Sequence, residues 1–358
     1  MTLRLMHGSE ALAAAAIAAG CRFFAGYPML PFTGLLEQMS KLMPAAGGTC
    51  LNAASEIEAA NMALGAAGAG ARAATGSCGQ GIALMQEVVG ETAQAEIPLV
   101  IFNMARGQQE YNQCTRGGGW GDYHTITFAP RDVAEAVEHT QLLFHLADRY
   151  RAPVILYGDY LIADTHMSVD IQAIDFGPLP AKDWAVTGST GGSGRPGEHR
   201  VLAVRGGWGN PSTPNEHWPL VAEKFREIAC TEARHESAHT DDAEFVVVSW
   251  GTASAFVEHV VDELRADGIR VGWFRPVTIW PFPEDALHAA TRGCTQVFTF
   301  ELNAGQMTDD VRLSVGREIP VLPLGGVSVD VSTMRQGPLL AAPVLRDRLL
   351  SAIQREKG

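Results

Sequence analysis

The stretch NAASEIEAANMALGAAGAGARAATGSCGQG (52–81) sets Glu56 behind Ser55 at the head of a helix rich in Ala59, Ala60, Ala63, Gly65, Ala66, Ala67 and Gly68. Helix stability alone accounts for the first two residues, because serine is a favoured N-cap and a first-turn glutamate complements the helix dipole. It does not account for the glycines, which lower helix propensity and suit a helix that another surface approaches closely. The turn TGSCGQG (75–81) then runs from a strand into a helix. Backbone N–H groups of Ser77, Cys78 and Gly79 point outward in such a turn, although a plain strand-to-helix connection reads the same way. A carboxyl group placed like that of Glu56 is suited to share a proton with N1′ of thiamine diphosphate, so that the cofactor's exocyclic amine serves as a base. Burial by a partner surface favours the protonated form of a carboxyl group. Glu58 is the rival carboxylate, but helical spacing turns it away from Glu56 and toward solvent.

Such a cofactor also needs a loop for its diphosphate and metal, usually a G-D-G followed by an Asn-rich segment. Gly121-Asp122-Tyr123 and Gly158-Asp159-Tyr160 begin correctly, yet each has Tyr where the backbone turn calls for Gly. On the glutamate reading, the diphosphate half of the site is therefore expected on another chain. Arg106 closes the strand-like run PLVIFNMAR. The carboxyl end of a strand is where α/β sheets place ligands, and an arginine there suits a bidentate grip on a substrate carboxylate. A surface ion pair is the ordinary alternative. Arg116 opens the loop that continues as GGGWGDYH (117–124). His124 could donate a proton from that loop, although a hydrogen-bonded scaffold role is commoner. Tyr27-Pro28 and Pro31 make a rigid turn after a strand.

Stepwise along the chain, residues 9 to about 166 alternate helix-like with strand-like stretches: helices near 9–19, 33–43, 56 onward, 81–95 and 131–149, strands near 21–25, 49–52, 71–75, 98–104 and 152–159. Short continuous apolar strands between helices imply a parallel sheet covered on both faces. Residues 170–240 hold GSTGGSGRPGEH (188–199), several prolines and little periodicity, and read as a connector. An α/β pattern restarts at FVVVSWG (245–251) and runs through strands at 270–276, 296–302 and 319–326 and helices at 253–266, 284–291 and 306–316. The expected division is residues 1–169, 170–242 and 243–358.

A formal net charge of −13 argues against a nucleic-acid partner, whose binding draws on clustered Lys and Arg. The six cysteines contain no C-x-x-C, so zinc and ferredoxin-type cluster spacings are missing and free thiols in a reducing cytoplasm are expected. The opening MTLRLMHGSEALAAAAIAAG superficially resembles a signal sequence, but Glu10 interrupts it and it reads as an amphipathic helix. No apolar run approaches the ~18 residues of a membrane span.

At this point the residues match a known pattern. GYPMLP (26–31), SEIEAANMALGAAGAGAR (55–72), RGGGWGDYHTITFAP (116–130), KDWAVTG (182–188), RPVTIWPFP (275–283) and ELNAGQM (301–307) are collinear. Together they resemble the α subunit of 2-oxoacid:ferredoxin oxidoreductases, most of all the branched-chain, 2-oxoisovalerate-type members. The resemblance implies a doubly wound, pyrimidine-type thiamine diphosphate-binding domain, a connector and a transketolase C-terminal-like α/β domain. It implies a separate β subunit carrying the diphosphate loop, Mg2+ and a [4Fe-4S] cluster, often a γ subunit, and ferredoxin as electron acceptor. It implies oxidative decarboxylation of a 2-oxo acid to an acyl-CoA. By the same resemblance Glu56 faces N1′ of the cofactor; Tyr27, Pro28, Ser77, Cys78 and Gly79 line the cofactor; and Arg106 lies near the substrate carboxylate.

Two departures fall on the substrate side. The family usually writes Y-P-I-T-P, whose threonine contacts substrate, where this chain has Leu30, with Phe32 in place of a small polar residue. Arg106-Gly107 runs directly into QQEYNQCTRGGG, a shorter loop than usual. Loss of the hydroxyl removes a hydrogen bond worth roughly 0.5–1.5 kcal/mol, and points to a bulkier or less polar substrate. A non-oxidative decarboxylase or carboligase subunit and a non-catalytic scaffold are the alternative expectations. A partner without cluster cysteines would favour the first, and indifference to changes at Glu56 or Arg106 the second.

Overall fold

The computed structural model describes residues 3–186, 214–325 and 341–357. The first part runs β1 (Arg4–His7), α1 (Gly8–Ala18), β2 (Phe23–Gly26), α2 (Phe32–Leu42), β3 (Thr49–Asn52), α3 (Glu56–Gly68), β4 (Ala73–Ser77), α4 (Gln80–Leu84), α5 (Gln86–Gln94), β5 (Leu99–Ala105), α6 (Tyr111–Thr115), β6 (Ile126–Phe128), α7 (Val133–Tyr150), β7 (Pro153–Asp159), α8 (Tyr160–Asp164) and β8 (His166–Val169). It continues through α9 (Pro214–Thr231), β9 (His235–Ala238), β10 (Phe245–Ser249), α10 (Thr252–Ala266), β11 (Val271–Pro276), β12 (Thr278–Trp280), α11 (Glu284–Ala290), β13 (Gln296–Phe300), α12 (Thr308–Val315), β14 (Val321–Pro323) and α13 (Ala342–Lys357).

The fully buried apolar runs of β5 and β7 sit centrally in a seven-stranded sheet of order β12-β6-β7-β5-β4-β2-β3. All its pairings are parallel except that of β12 with β6. Winding reverses at β2: the chain leaves it for β3 on one side and returns to β4 on the other. That reversal opens a crevice at the carboxyl ends of β2 and β4. Helices α1, α2, α7 and α8 pack together, and α3, α4 and α5 form a separate group. The amphipathic pattern of α2 buries Phe32, Leu35, Leu36 and Met39. Helix α3 buries Ala59, Ala60, Ala63, Ala67 and Gly68, so small side chains bring it close to the sheet.

A second sheet, β14-β13-β10-β11-β9, is parallel except for β9 against β11. Several features were not legible in the sequence. Strands β1 and β8 pair as a separate antiparallel ribbon. The expected helix over 81–95 is broken at Met85, and the loop that follows Arg106-Gly107 contains α6. Two strands also cross the expected divisions. Strand β9 lies within 170–242 but belongs to the second sheet, while β12 lies within 243–358 but completes the edge of the first. The connector's GSTGGSGRPGEH lies outside the described residues.

Candidate active site

Ser55 caps α3 by accepting from Glu58 N–H at 3.2 Å, and the Glu58 carboxylate accepts from Ala54 N–H at 2.6 Å. Glu58 is thus exposed and occupied by capping, while Glu56 turns inward and is 4% exposed. The Ser77 hydroxyl lies 3.5 Å from Glu56 Oε1. Gly81 is what permits this closeness, because a Cβ there would lie 2.0 Å from Ser77 Oγ and 2.7 Å from Glu56 Oε1. Around this carboxylate the outer face of α3 carries exposed Ile57, Asn61 and Met62, and Gly65 has open space beyond it. Tyr27 is half-buried and Pro28 exposed at the rim of the neighbouring turn.

Arg106, at the end of β5, is exposed and donates from Nε to the Leu30 carbonyl at 3.1 Å. The Cys78 thiol donates to the same carbonyl at 3.1 Å. One backbone oxygen therefore joins the turns that follow β2, β4 and β5. Burial pushes the Cys78 thiol up to about 11; Arg106 pulls the other way, with smaller upward contributions from Glu110 and Glu56. Cys78 is a neutral, fully buried spacer at pH 7. The Leu30 side chain is 71% exposed beside Arg106, presenting an apolar surface where the family pattern has a hydroxyl.

Phe32 is a correction. It was expected on the substrate side, but it is fully buried, stacked 6.0 Å from Phe24. Cβ atoms at Gly26 and Gly76 would lie 2.9 and 2.6 Å from its ring, so those glycines make room for a core side chain. The Gly79 N–H does not point outward for a ligand either: it donates to Glu110 Oε1 at 2.6 Å. Sequence reasoning passed over Glu110, because nothing in QQEYNQ marks one acidic residue as buried. Its second partner, Tyr157 OH at 2.9 Å, lies in β7.

The remaining candidates are tied into the surrounding structure by their own contacts. His124 stacks on Trp280 at 4.5 Å, and its Nδ1 lies 3.4 Å from the Thr115 carbonyl. Burial lowers its pKa against the raising effect of that hydrogen bond. Arg116 pairs with Asp310 at 2.8 Å across to α12. Asp159 caps α8, accepting from Leu161 and Ile162 N–H, and also accepts from the Thr252 hydroxyl. In the GGGWGDY loop, Tyr123 OH accepts from Gly118 and Gly119 N–H at 3.2 and 3.0 Å. A Cβ on Gly119 would lie 2.1 Å from the Gln86 carbonyl, so the glycines there serve close backbone approach to the break between α4 and α5.

The donor set fits the aminopyrimidine half of thiamine diphosphate. A buried carboxylate stands at a switch crevice, and the missing Cβ of Gly81 lets it and Ser77 pack against each other there. Among the described residues, no group of three or more His, Cys, Asp or Glu is placed to hold a metal ion.

Comparison with known proteins agrees with this geometry. The family described as "Pyruvate flavodoxin/ferredoxin oxidoreductase, thiamine diP-bdg" matches residues 14–183, and "Pyruvate:ferredoxin oxidoreductase core domain II" matches 243–334. Ketoisovalerate oxidoreductase subunit VorB of Methanothermobacter marburgensis is 33% identical over 326 residues, covering 88% of this chain and 91% of the relative. 2-Oxoglutarate synthase subunit KorA of Methanothermobacter thermautotrophicus is 35% identical over 355 residues, covering 90% and 94%. The solved 2-oxoglutarate:ferredoxin oxidoreductase of Magnetococcus marinus shares the fold with a TM-score of 0.82 at 23% identity. That match covers 98% of this chain, which spans 65% of the solved chain. The chain belongs to the 2-oxoacid:ferredoxin oxidoreductases, a coenzyme A-acylating family, as an α-subunit-like member with a thiamine diphosphate-binding domain.

Proposed function

We propose that this chain supplies the aminopyrimidine half of a thiamine diphosphate site completed by a β subunit. That subunit would carry the diphosphate loop, Mg2+ and a [4Fe-4S] cluster, with a γ subunit and ferredoxin downstream. The reaction would be oxidative decarboxylation of a 2-oxo acid, with the acyl group passed to coenzyme A. The observation that carries this reading is the buried Glu56 carboxylate at the head of α3, turned inward against Ser77 at the carboxyl end of β4. When bound, the cofactor supplies the carbanion-stabilising chemistry. Glu56 would hold a proton at N1′, and Ser77 would keep the carboxylate in place. Tyr27 and Pro28 would border the ring from the adjoining turn. Arg106 would bind the substrate carboxylate. The functional division follows residues 1–169 for the cofactor half, 170–242 as connector and 243–358 as the transketolase C-terminal-like part, with β9 and β12 stitching across those limits.

Exposed Leu30 beside Arg106 favours a 2-oxo acid with an apolar side chain. The relatives' names include both a ketoisovalerate enzyme and a 2-oxoglutarate enzyme, and Leu30 supports the former class. The test is co-purification of the chain with its partner subunit and assay of coenzyme A-dependent dye reduction over branched, aromatic and dicarboxylic 2-oxo acids. Glu56→Gln is expected to lower kcat at least about 100-fold with assembly intact. Near-wild-type turnover in that variant would overturn the assignment. A preference for the dicarboxylate would overturn the role of Leu30.

A further inference from the structure

Glu110 is a buried side chain that the reaction outlined above does not use, 4% exposed and lodged between the turn after β4 and strand β7. Its Oε1 accepts from Gly79 N–H at 2.6 Å, and its Oε2 accepts from Tyr157 OH at 2.9 Å. Its own N–H donates to Tyr157 OH at 3.2 Å, so the same hydroxyl grips backbone and side chain. Gly79 takes φ +54° and ψ −121°, a backbone conformation that glycine tolerates best. That residue links Ser77, which lies against Glu56, to Gly81, whose missing Cβ lets the two meet. The hydrogen bond from the Gly79 N–H to the buried Glu110 side chain fixes the conformation of this turn.

The segment holding Glu110 is itself anchored from the second sheet's side. The Gln108 side chain donates to the Trp250 carbonyl at 2.8 Å and accepts from Leu302 N–H at 2.6 Å. Asn303 donates to the Gln108 carbonyl at 2.7 Å, and Gln306 donates to the Gln109 carbonyl at 2.9 Å and accepts from Asn112 N–H at 3.1 Å. Residues 107–112 thus form a strap with one side on the ELNAGQM segment and the other, through Glu110, on the turn after β4.

We propose that Glu110 is a positioning residue for the cofactor-facing carboxylate: through Gly79 N–H it holds the Ser77–Gly81 turn, and through that turn the pose of Glu56. Burial first and Glu110 second keep Tyr157 a protonated donor, its pKa well above the ordinary tyrosine value. The inference rests on the proposed cofactor site.

The test uses the complex with its partner subunit, with turnover and thiamine diphosphate affinity measured for Glu110→Ala and Glu110→Gln. A glutamine still offers an oxygen to Gly79 N–H, and its amide can donate to Tyr157 OH. Glu110→Ala is expected to lower kcat about 10- to 100-fold and weaken thiamine diphosphate binding, with KM for the 2-oxo acid unchanged within about threefold. Glu110→Gln is expected to recover most of that loss. An alanine variant with wild-type kcat, an effect confined to KM, or equal loss in both variants would overturn the proposal. Should the alanine variant fail to assemble, Tyr157→Phe decides. A fall in kcat at constant KM supports positioning, and unchanged kcat overturns it. If the wild-type complex shows no thiamine diphosphate-dependent turnover, the cofactor reading itself falls. If Glu56→Gln is inactive while Glu110→Ala keeps wild-type kcat, only this inference falls.

Discussion

Gly81 and Gly65 separate two reasons for a glycine in one stretch of chain. At Gly81 a methyl group would press on both Ser77 Oγ and Glu56 Oε1, whereas at Gly65 it would meet nothing within 4 Å. Gly81→Ala is therefore expected to weaken thiamine diphosphate binding at least about tenfold by displacing the serine or the carboxylate, since overpacking costs roughly 1–3 kcal/mol. Gly65→Ala in the isolated chain is expected to be neutral or stabilising, by up to about 1 kcal/mol, through helix propensity alone. Calorimetric titration of the assembled complex with cofactor checks the first, and urea unfolding of the chain checks the second. Equal effects at both positions would mean that close packing at Gly81 is not what selects the glycine. Phe32 belongs to the core, its ring filling the space left by Gly26 and Gly76, and Leu30 is the exposed departure from the family pattern.

Helix α3 performs two tasks with its two faces. Its small inner residues set it close to β2 and β4, and its first turn aims Glu56 at the crevice while Ser55 and Glu58 close the helix end. A cap is worth about 1 kcal/mol, so Ser55→Ala is expected to lower the unfolding free energy by that amount in urea titrations. It is also expected to lower kcat, because fraying of this end displaces Glu56, the carboxylate proposed to face the cofactor. A stability loss with no change in kcat would show that packing alone positions Glu56. At the same scale, the break between α4 and α5 has a cause outside the helix. Gly118 and Gly119 ride against Gln86, and the Gln94 side chain donates to the Trp120 carbonyl at 2.6 Å.

Across the whole molecule the two sheets are joined by more than the strap. Strand β12 closes the edge of the first sheet, and a buried charge cluster lies nearby. Arg275, fully buried on β11, donates to both oxygens of Glu135 on α7 at 2.8 and 2.6 Å and meets Glu236 on β9 at 2.9 Å. Burial pushes the Glu135 carboxyl up, but the Arg275 guanidinium outweighs it and holds the group below the ordinary range. His139 sits beside this pair, 3.9 Å from Glu135, with Nδ1 lacking a hydrogen-bond partner. Burial pulls its pKa down to about 4 from 6.5, with Glu135 opposing and Arg275 assisting. Its unfolded form binds a proton at higher pH than its folded form does. This contribution is therefore complete above pH 6.5 and is lost as pH falls toward about 4. His139→Leu is expected to flatten the stability profile across that window by an amount on the order of 2–4 kcal/mol. Thermal unfolding from pH 7 to pH 4 measures it, and parallel profiles for the two proteins would refute it.

The sequence by itself determined the repeating α/β pattern, the glutamate at the head of α3 and the family, because apolar runs, caps and collinear motifs are local in the chain. It also placed Arg106 at a strand end, since PLVIFNMAR reads as a buried strand without reference to anything else. Only the tertiary structure decided that Phe32 is core, that Gly79 N–H is taken by Glu110, and that β9 and β12 exchange between the expected units. Each of those outcomes depends on a partner far away in sequence: Gly76 for the ring, Tyr157 for the carboxylate, β6 for the edge strand. Burial and hydrogen-bond satisfaction are settled by which strands become neighbours, and a local pattern of residue types carries no record of that choice.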